Sequence, residues 1–177
     1  KHPGLDLYPE HLRKEIDEVN SWIYPHINDG VYRCGFAKTQ TAYDAALDAH
    51  WEAMDRTESH LEGKQFLVGE QLTMADIRLF PTLVRYDAVY FSHFKTCRNH
   101  LAEMPNLLAH TRRILQLEGV KETVNLDSIV EHYYWSQPMV NPTRIVPRGL
   151  KRPRGFEDIL SMNSFYTKAQ LRDSSKL

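Results

Sequence analysis

Long apolar runs are missing from this sequence of 177 residues. None approaches the roughly 20 residues that a membrane-spanning helix requires, and the start, Lys1-His2-Pro3-Gly4, has no apolar signal-peptide core. Cysteine is scarce: Cys34 and Cys97 stand alone, which argues against a disulfide framework. No sign of charge dominates, since 22 Lys+Arg against 23 Asp+Glu leave a formal charge of -1. That balance gives no drive toward nucleic acid or an anionic membrane. The nine histidines include no pair at i, i+3 or i+4, so no metal site is expected. Sustained strand-like alternation and internal repeats are also absent. These absences point to a cytoplasmic, metal-free, all-α protein, and a chain of this length with 42% hydrophobic residues can bury most of its unfolded surface as one domain.

What is present is helical periodicity. Tyr8, Leu12, Ile16, Val19 and Ile23 recur at spacings of four and three, with Pro9 suited to the first helical position and Pro25 placed to end or kink the helix. Tyr43, Leu47, Trp51, Met54 and Leu61 draw a second stripe, with Thr41 and Asp44 as a candidate capping box. Pro105 opens a helix that runs to about Gln116, and Gly119 marks its end. Asn125 can cap another, with Leu126, Ile129, Val130 and Tyr133 on one face.

The sharpest local signal is Leu72-Thr73-Met74-Ala75-Asp76-Ile77. Thr73 and Asp76 have the spacing of a capping box, and Leu72 with Ile77 that of a hydrophobic staple. The run that follows, through Tyr86, is largely apolar, as suits a central helix, and Pro81 within it predicts a kink. From Trp135 onward the character changes. Pro138, Pro142, Pro147 and Pro153 predict an extended tail, residues 136–177, after a helical domain at residues 1–135. Arg144, Arg148, Lys151, Arg152 and Arg154 read as a solvated charge run rather than a phosphate-binding one. Phe156, Ile159, Leu160 and Phe165 can form a short docking helix.

Few residues are candidates for chemistry. Gly30 and Gly35 bracket Val31-Tyr32-Arg33-Cys34, which reads as an irregular link whose backbone freedom lets a side chain enter a cleft. Tyr32 is the candidate there, and Tyr133 and Tyr134 are a second source of phenols. A tyrosine near its reference pKa of about 10 can give a hydrogen bond or a proton to a developing phenolate. The plainer reading makes each a core residue with a satisfied hydroxyl. Cys34 lies next to Arg33 and near Tyr32 in a mildly activating setting, and is weighed as a substitute nucleophile against the commoner role of a small inert hydrophobe.

The run Phe66-Leu67-Val68-Gly69-Glu70 before Leu72–Ile77 resembles the capping region in the helical C-terminal domain of glutathione transferases. Trp22-Ile23-Tyr24 with Ile27-Asn28-Asp29-Gly30-Val31-Tyr32-Arg33-Cys34-Gly35-Phe36-Ala37, and His132-Tyr133-Tyr134 followed by Asn141-Pro142 and Ile145-Val146-Pro147, resemble the xi class, the glutathionyl-hydroquinone reductases. The resemblance spans about Tyr8 to Gly149. It implies a helical bundle of the transferase C-terminal kind, lacking an N-terminal thioredoxin-like domain whose cysteine would carry the thiol exchange. On that reading glutathione is the co-substrate, the substrate is a glutathionyl-hydroquinone, and the protein is a homodimer. The fragment alone is expected to be inert, and a targeting segment could belong to the missing half. The resemblance makes Tyr32, Tyr133 and Tyr134 catalytic candidates and adds His132 to them as a substrate-binding candidate. Two other readings compete: a non-catalytic assembly module, against which the retained tyrosines argue, and a conventional conjugating transferase.

Overall fold

In the computed structural model of the chain the described residues are 4–147, 155–156 and 158–160, and among them every regular element is helical. A 3-10 turn, Glu10–Leu12, leads into α1, Arg13–Trp22. The chain then widens into a π segment, Ile23–Asn28, before α2, Gly30–Phe36. Pro25 therefore does not end the helix. It has no N–H to give and its ring crowds the carbonyl one turn back; the ladder opens instead, and the Asp29 N–H reaches the Tyr24 carbonyl, five residues back, at 2.9 Å.

The segment expected as an irregular link is helical, and its glycines serve close packing instead of backbone freedom. A Cβ on Gly30 would stand 3.3 Å from His50 Nδ1, and one on Gly35 would stand 2.3 Å from the Phe94 ring. Helix α3, Gln40–His60, is capped by Thr39, whose hydroxyl accepts from the Ala42 N–H at 3.2 Å. The expected Thr41–Asp44 box is not the cap. The helix starts two residues earlier, and Asp44 accepts from the Gln40 side chain at 2.7 Å.

The central helix α4, Met74–Arg85, runs through Pro81 and passes into a second π segment, Tyr86–Tyr90, and a short α5, Phe91–His93. Asn28 of the first π segment donates to the Arg78 carbonyl at 2.9 Å and lies 2.7 Å from the Thr82 hydroxyl, pinning α4 at the turn that contains Pro81. Helix α6, Pro105–Leu115, has its first free amides covered by Glu58, which accepts from the Asn106 and Leu107 N–H groups at 2.8 Å each. In α7, Leu126–Ser136, Asn125 caps the Ser128 N–H at 2.9 Å as its sequence position predicted. Ile16, Ile23, Ile27, Val31, Leu79 and Leu83 are fully buried where these elements meet.

The Thr73–Asp76 box does more than start α4. Asp76, fully buried, accepts from the Thr73 N–H at 2.8 Å and its hydroxyl at 3.0 Å, from the Leu67 N–H at 2.8 Å and from His110 Nε2 of α6 at 2.8 Å. One carboxylate thus ties the loop before α4, the helix N-terminus, where negative charge is favoured, and α6. Ile77, the expected staple partner, is 36% exposed.

Beyond α7 the described tail residues form turns up to Thr143, after which the Arg144 guanidinium lies over the Trp135 ring, 5.7 Å from its centroid. Phe156 and Leu160 are buried as expected of a docking segment, yet the described residues there make a turn, with the Ile159 and Leu160 N–H groups both donating to the Phe156 carbonyl. Arg112 holds that turn through Asp158 and the Gly155 carbonyl. Arg148, Lys151, Arg152, Arg154 and Phe165 lie outside the described residues.

His50 is fully buried, and burial lowers its pKa to about 4. It stays neutral in the fold at a pH where an unfolded histidine, near 6.5, is taking up a proton. Unfolding therefore binds a proton between these values, and stability falls by up to about 3 kcal/mol as pH drops across that window. The urea midpoint is expected to fall between pH 7 and 5, and to fall less in a His50→Asn variant. Parallel falls in both proteins would contradict this.

Candidate aromatic site

Three tyrosines from three elements meet through their hydroxyls. Tyr32 comes from α2, Tyr90 ends the second π segment, and Tyr133 lies in α7. The Tyr133 hydroxyl is 2.7 Å from that of Tyr32 and 2.7 Å from that of Tyr90. Phe94 forms the base of the cluster, its ring centroid 5.2 Å from that of Tyr32, 5.4 Å from Tyr90 and 5.8 Å from Tyr133. Such spacings are those of attractive edge-on and offset aromatic pairs. Phe36, 40% exposed, stacks on Tyr32 at 6.1 Å and opens the cluster to its surroundings.

Burial orders the three phenols. Tyr90 is nearly fully buried and Tyr133 largely so, while Tyr32 is half-buried. Desolvation drives the Tyr90 pKa far above its ordinary value, with the neighbouring Tyr133 adding to it, and burial raises Tyr133 to about 12. Tyr90 and Tyr133 therefore hold their protons at neutral pH. Each hydroxyl carries one proton, and two hydrogen bonds within the chain use two. The buried Tyr90 proton needs an acceptor, and the Tyr133 hydroxyl at 2.7 Å can serve as one, although either oxygen of that pair can donate. Running Tyr90 to Tyr133 to Tyr32 leaves the third proton on Tyr32, at the exposed end, and chains of this kind polarise one another. The arrangement can present one strengthened O–H donor, backed by two phenols, to a group that develops negative charge.

Tyr134 does not join this chain. Adjacent helical residues point roughly 100° apart, and the Tyr134 ring lies against His93, with centroids 4.4 Å apart and a buried hydroxyl that has no hydrogen-bond partner. Burial raises its pKa to about 12. His93 in turn lies 2.9 Å from the Gln137 side-chain oxygen, bracing α5 against the end of α7. His132 is exposed, with its ring edge-on to Tyr133 at 5.3 Å and outside the hydroxyl chain.

Cys34 is buried, and desolvation pushes its thiol up to about 11, the opposite of what a nucleophile needs. Among the described residues no group of His, Cys, Asp or Glu could hold a metal ion, and no helix is long and apolar enough to cross a membrane. A groove of about 450 Å³ runs between α2 and α3, floored by alanines, and the tyrosine hydroxyls do not line it.

The sequence did not disclose Tyr90 and Phe94. Both stand in register with Tyr86 at spacings of four, a signal visible once the apolar run is followed past Tyr86. Gly35 reports on the same site. A methyl group there would enter the Phe94 ring at 2.3 Å, so Gly35→Ala is expected to destabilise the fold by about 1–3 kcal/mol, the range for overpacking. Urea unfolding measures it, and an unchanged midpoint would show that the site is looser than this packing implies.

Comparison with known proteins agrees with the fold and extends it. The glutathione S-transferase C-terminal domain profile matches residues 40–113. The chain is 49% identical over 151 residues to glutathionyl-hydroquinone reductase PcpF of Sphingobium chlorophenolicum, covering 85% of this chain and 48% of that protein. It superposes on the xi glutathione transferase of Phanerochaete chrysosporium with a TM-score of 0.82 at 48% identity, over 90% of this chain and 50% of the other. The glutathione-bound structure of YqjG from Escherichia coli K-12 matches with a TM-score of 0.80 at 44% identity, over 86% and 51%. The chain spans about half the length of the curated relatives it matches. With an all-helical fold and a capped central helix in place, the chain belongs to the glutathione transferases, as the helical C-terminal domain of their xi class.

Proposed function

We propose that this chain is the helical half of a glutathione-dependent reductase acting on S-glutathionyl-hydroquinones, in which it forms the aromatic wall of the substrate site. The observation that carries the reading is the Tyr133 hydroxyl, 2.7 Å from each of two others in a chain that ends on the half-buried Tyr32. The nucleophilic cysteine is assigned to an N-terminal thioredoxin-like domain outside this chain, as the family resemblance implies; Cys34, buried with a raised pKa, is no substitute for it.

The chemistry balances simply. A thiolate attacks the sulfur of the glutathionyl-hydroquinone; the sulfur–aryl bond breaks, its electrons go to the ring carbon, and a proton is delivered there, giving hydroquinone and a cysteine–glutathione mixed disulfide. A second glutathione resolves that disulfide, releasing oxidised glutathione and returning the thiolate and a proton. Tyr32 faces the departing ring and gives the hydrogen bond or proton; Tyr133 and Tyr90 replenish and polarise it. Tyr133, rather than Tyr134, is the second phenol of the site, and His132 lies at its rim. The protein is a cytoplasmic homodimer on this reading, as the family resemblance implies.

The test compares two rates for the full-length protein: release of hydroquinone from a glutathionyl-hydroquinone in the presence of glutathione, and conjugation of glutathione to a chloronitrobenzene. Faster release supports the reductase, and faster conjugation makes it a conventional transferase. If neither reaction occurs, the three hydroxyls merely satisfy one another and the chain serves as an assembly module.

A further inference from the structure

We propose that His50, a residue outside the aromatic site, is a positioning residue for the tyrosine chain, tying together the two π segments on which Tyr32 and Tyr90 depend. The proposal rests on the reductase reading of that site.

Two of the three hydroxyls are placed by a π segment, one just beyond it and one at its end. Tyr32 comes four residues after Ile23–Asn28, and Tyr90 closes Tyr86–Tyr90. A π segment inserts a residue into the α ladder and so rotates everything beyond it. Such segments are rare because the wide turn is less favourable than the α turn, so side chains must hold them in place. The 2.7 Å contacts of Tyr133 with both neighbours exist only while the two segments keep their relative position.

His50 joins them directly. It projects from the middle of α3 and is fully buried. Its Nδ1 lies 2.9 Å from the His26 carbonyl, inside the first π segment, and its Nε2 lies 3.1 Å from the hydroxyl of Tyr86, the first residue of the second. A carbonyl can only accept, so Nδ1 carries the proton; the single Tyr86 hydroxyl proton then faces two acceptors, Nε2 and the Thr96 carbonyl. The Tyr86 hydroxyl also lies 3.3 Å from the Thr96 carbonyl, and its ring stacks on the imidazole at 5.8 Å and 15°. The same imidazole is one of two seats for α2. Gly30 rests on it, as a Cβ there would stand 3.3 Å from Nδ1, and Gly35 rests on Phe94. Tyr32 stands between these two glycines in α2, so both contacts bear on where the helix that carries it sits.

Tyr86→Phe in the full-length protein removes one oxygen and leaves the stacked ring. Turnover of a glutathionyl-hydroquinone is expected to fall about tenfold or more, as small misplacements of a reacting group do, with KM held within about twofold. His50→Asn keeps a donor near His26 but falls short of Tyr86, and is expected to give the same loss. Both variants are repeated in a Tyr32→Phe background, where the hydroxyl to be positioned is gone and neither is expected to lower turnover further. A merely structural role would multiply the losses equally in both backgrounds, and that result overturns the proposal, as does normal turnover in Tyr86→Phe. Whichever variant folds decides the matter. If the unaltered full-length protein turns over no glutathionyl-hydroquinone, the reductase reading and this proposal fall together; if Tyr32→Phe alone leaves turnover unchanged, the reductase reading stands and this proposal falls. If it lowers turnover while the Tyr86 loss stays independent, only the role of His50 falls.

Discussion

Tyr32→Phe in the full-length protein is expected to lower kcat for a glutathionyl-hydroquinone by about 100-fold or more, the usual contribution of a positioned proton donor, while KM changes little. The phenyl ring keeps its contacts with Phe36, Tyr90, Phe94 and Tyr133, whose centroids lie 5.2 to 6.5 Å away. What is lost is the Tyr32 hydroxyl, and with it a partner for Tyr133. An interaction made only as charge develops on the leaving ring affects kcat and kcat/KM alike. Steady-state kinetics separate the outcomes: a rise in KM alone would make Tyr32 a binding contact, and no change would remove it from the reaction.

Asp76→Ala is expected to be the most damaging single change to the fold. It strands the Leu67 N–H, the Thr73 N–H and His110 Nε2, all of which the buried carboxylate now accepts. Removing one partner from a buried charged network costs about 3–5 kcal/mol, against a total stability of about 5–15 kcal/mol for a typical domain. Asp76→Asn, which keeps the shape and one acceptor, is expected to lose less. Denaturant unfolding reads both, and a loss below about 1 kcal/mol for the alanine variant would mean that the network relaxes onto other partners.

The legible parts of this fold are those whose information is local. The Thr73–Asp76 box, the Asn125 cap and Pro105 at the head of α6 act within one turn, and each appears where its spacing places it. Thr41–Asp44 has the same local signature but loses to Thr39, because the helix begins two residues earlier. The glycines around Tyr32 are ambiguous for a different reason. A missing Cβ serves either an unusual backbone or a close neighbour, and only the tertiary partners His50 and Phe94 decide between them. Pro25 suggested an end or a kink because it removes a ladder donor and crowds the turn before it, and the π segment that takes it up has no sequence signature.

The site was legible through tyrosines carried by resemblance and hidden where burial decides. Tyr133 and Tyr134 are equivalent in sequence; in the fold one faces Tyr32 and Tyr90 and the other faces His93. Tyr90 went unseen because its role depends on contacts 43 and more residues away in sequence.

On the proposed reading the hydroxyl chain, and not aromatic bulk, is what these helices contribute to the reaction. Comparing kcat for Tyr133→Phe and Tyr134→Phe in the full-length protein tests it most directly, since each change deletes one oxygen from adjacent, largely buried rings. Tyr133→Phe is expected to lose at least about tenfold more turnover than Tyr134→Phe. Equal losses, or a larger loss at Tyr134, would contradict it.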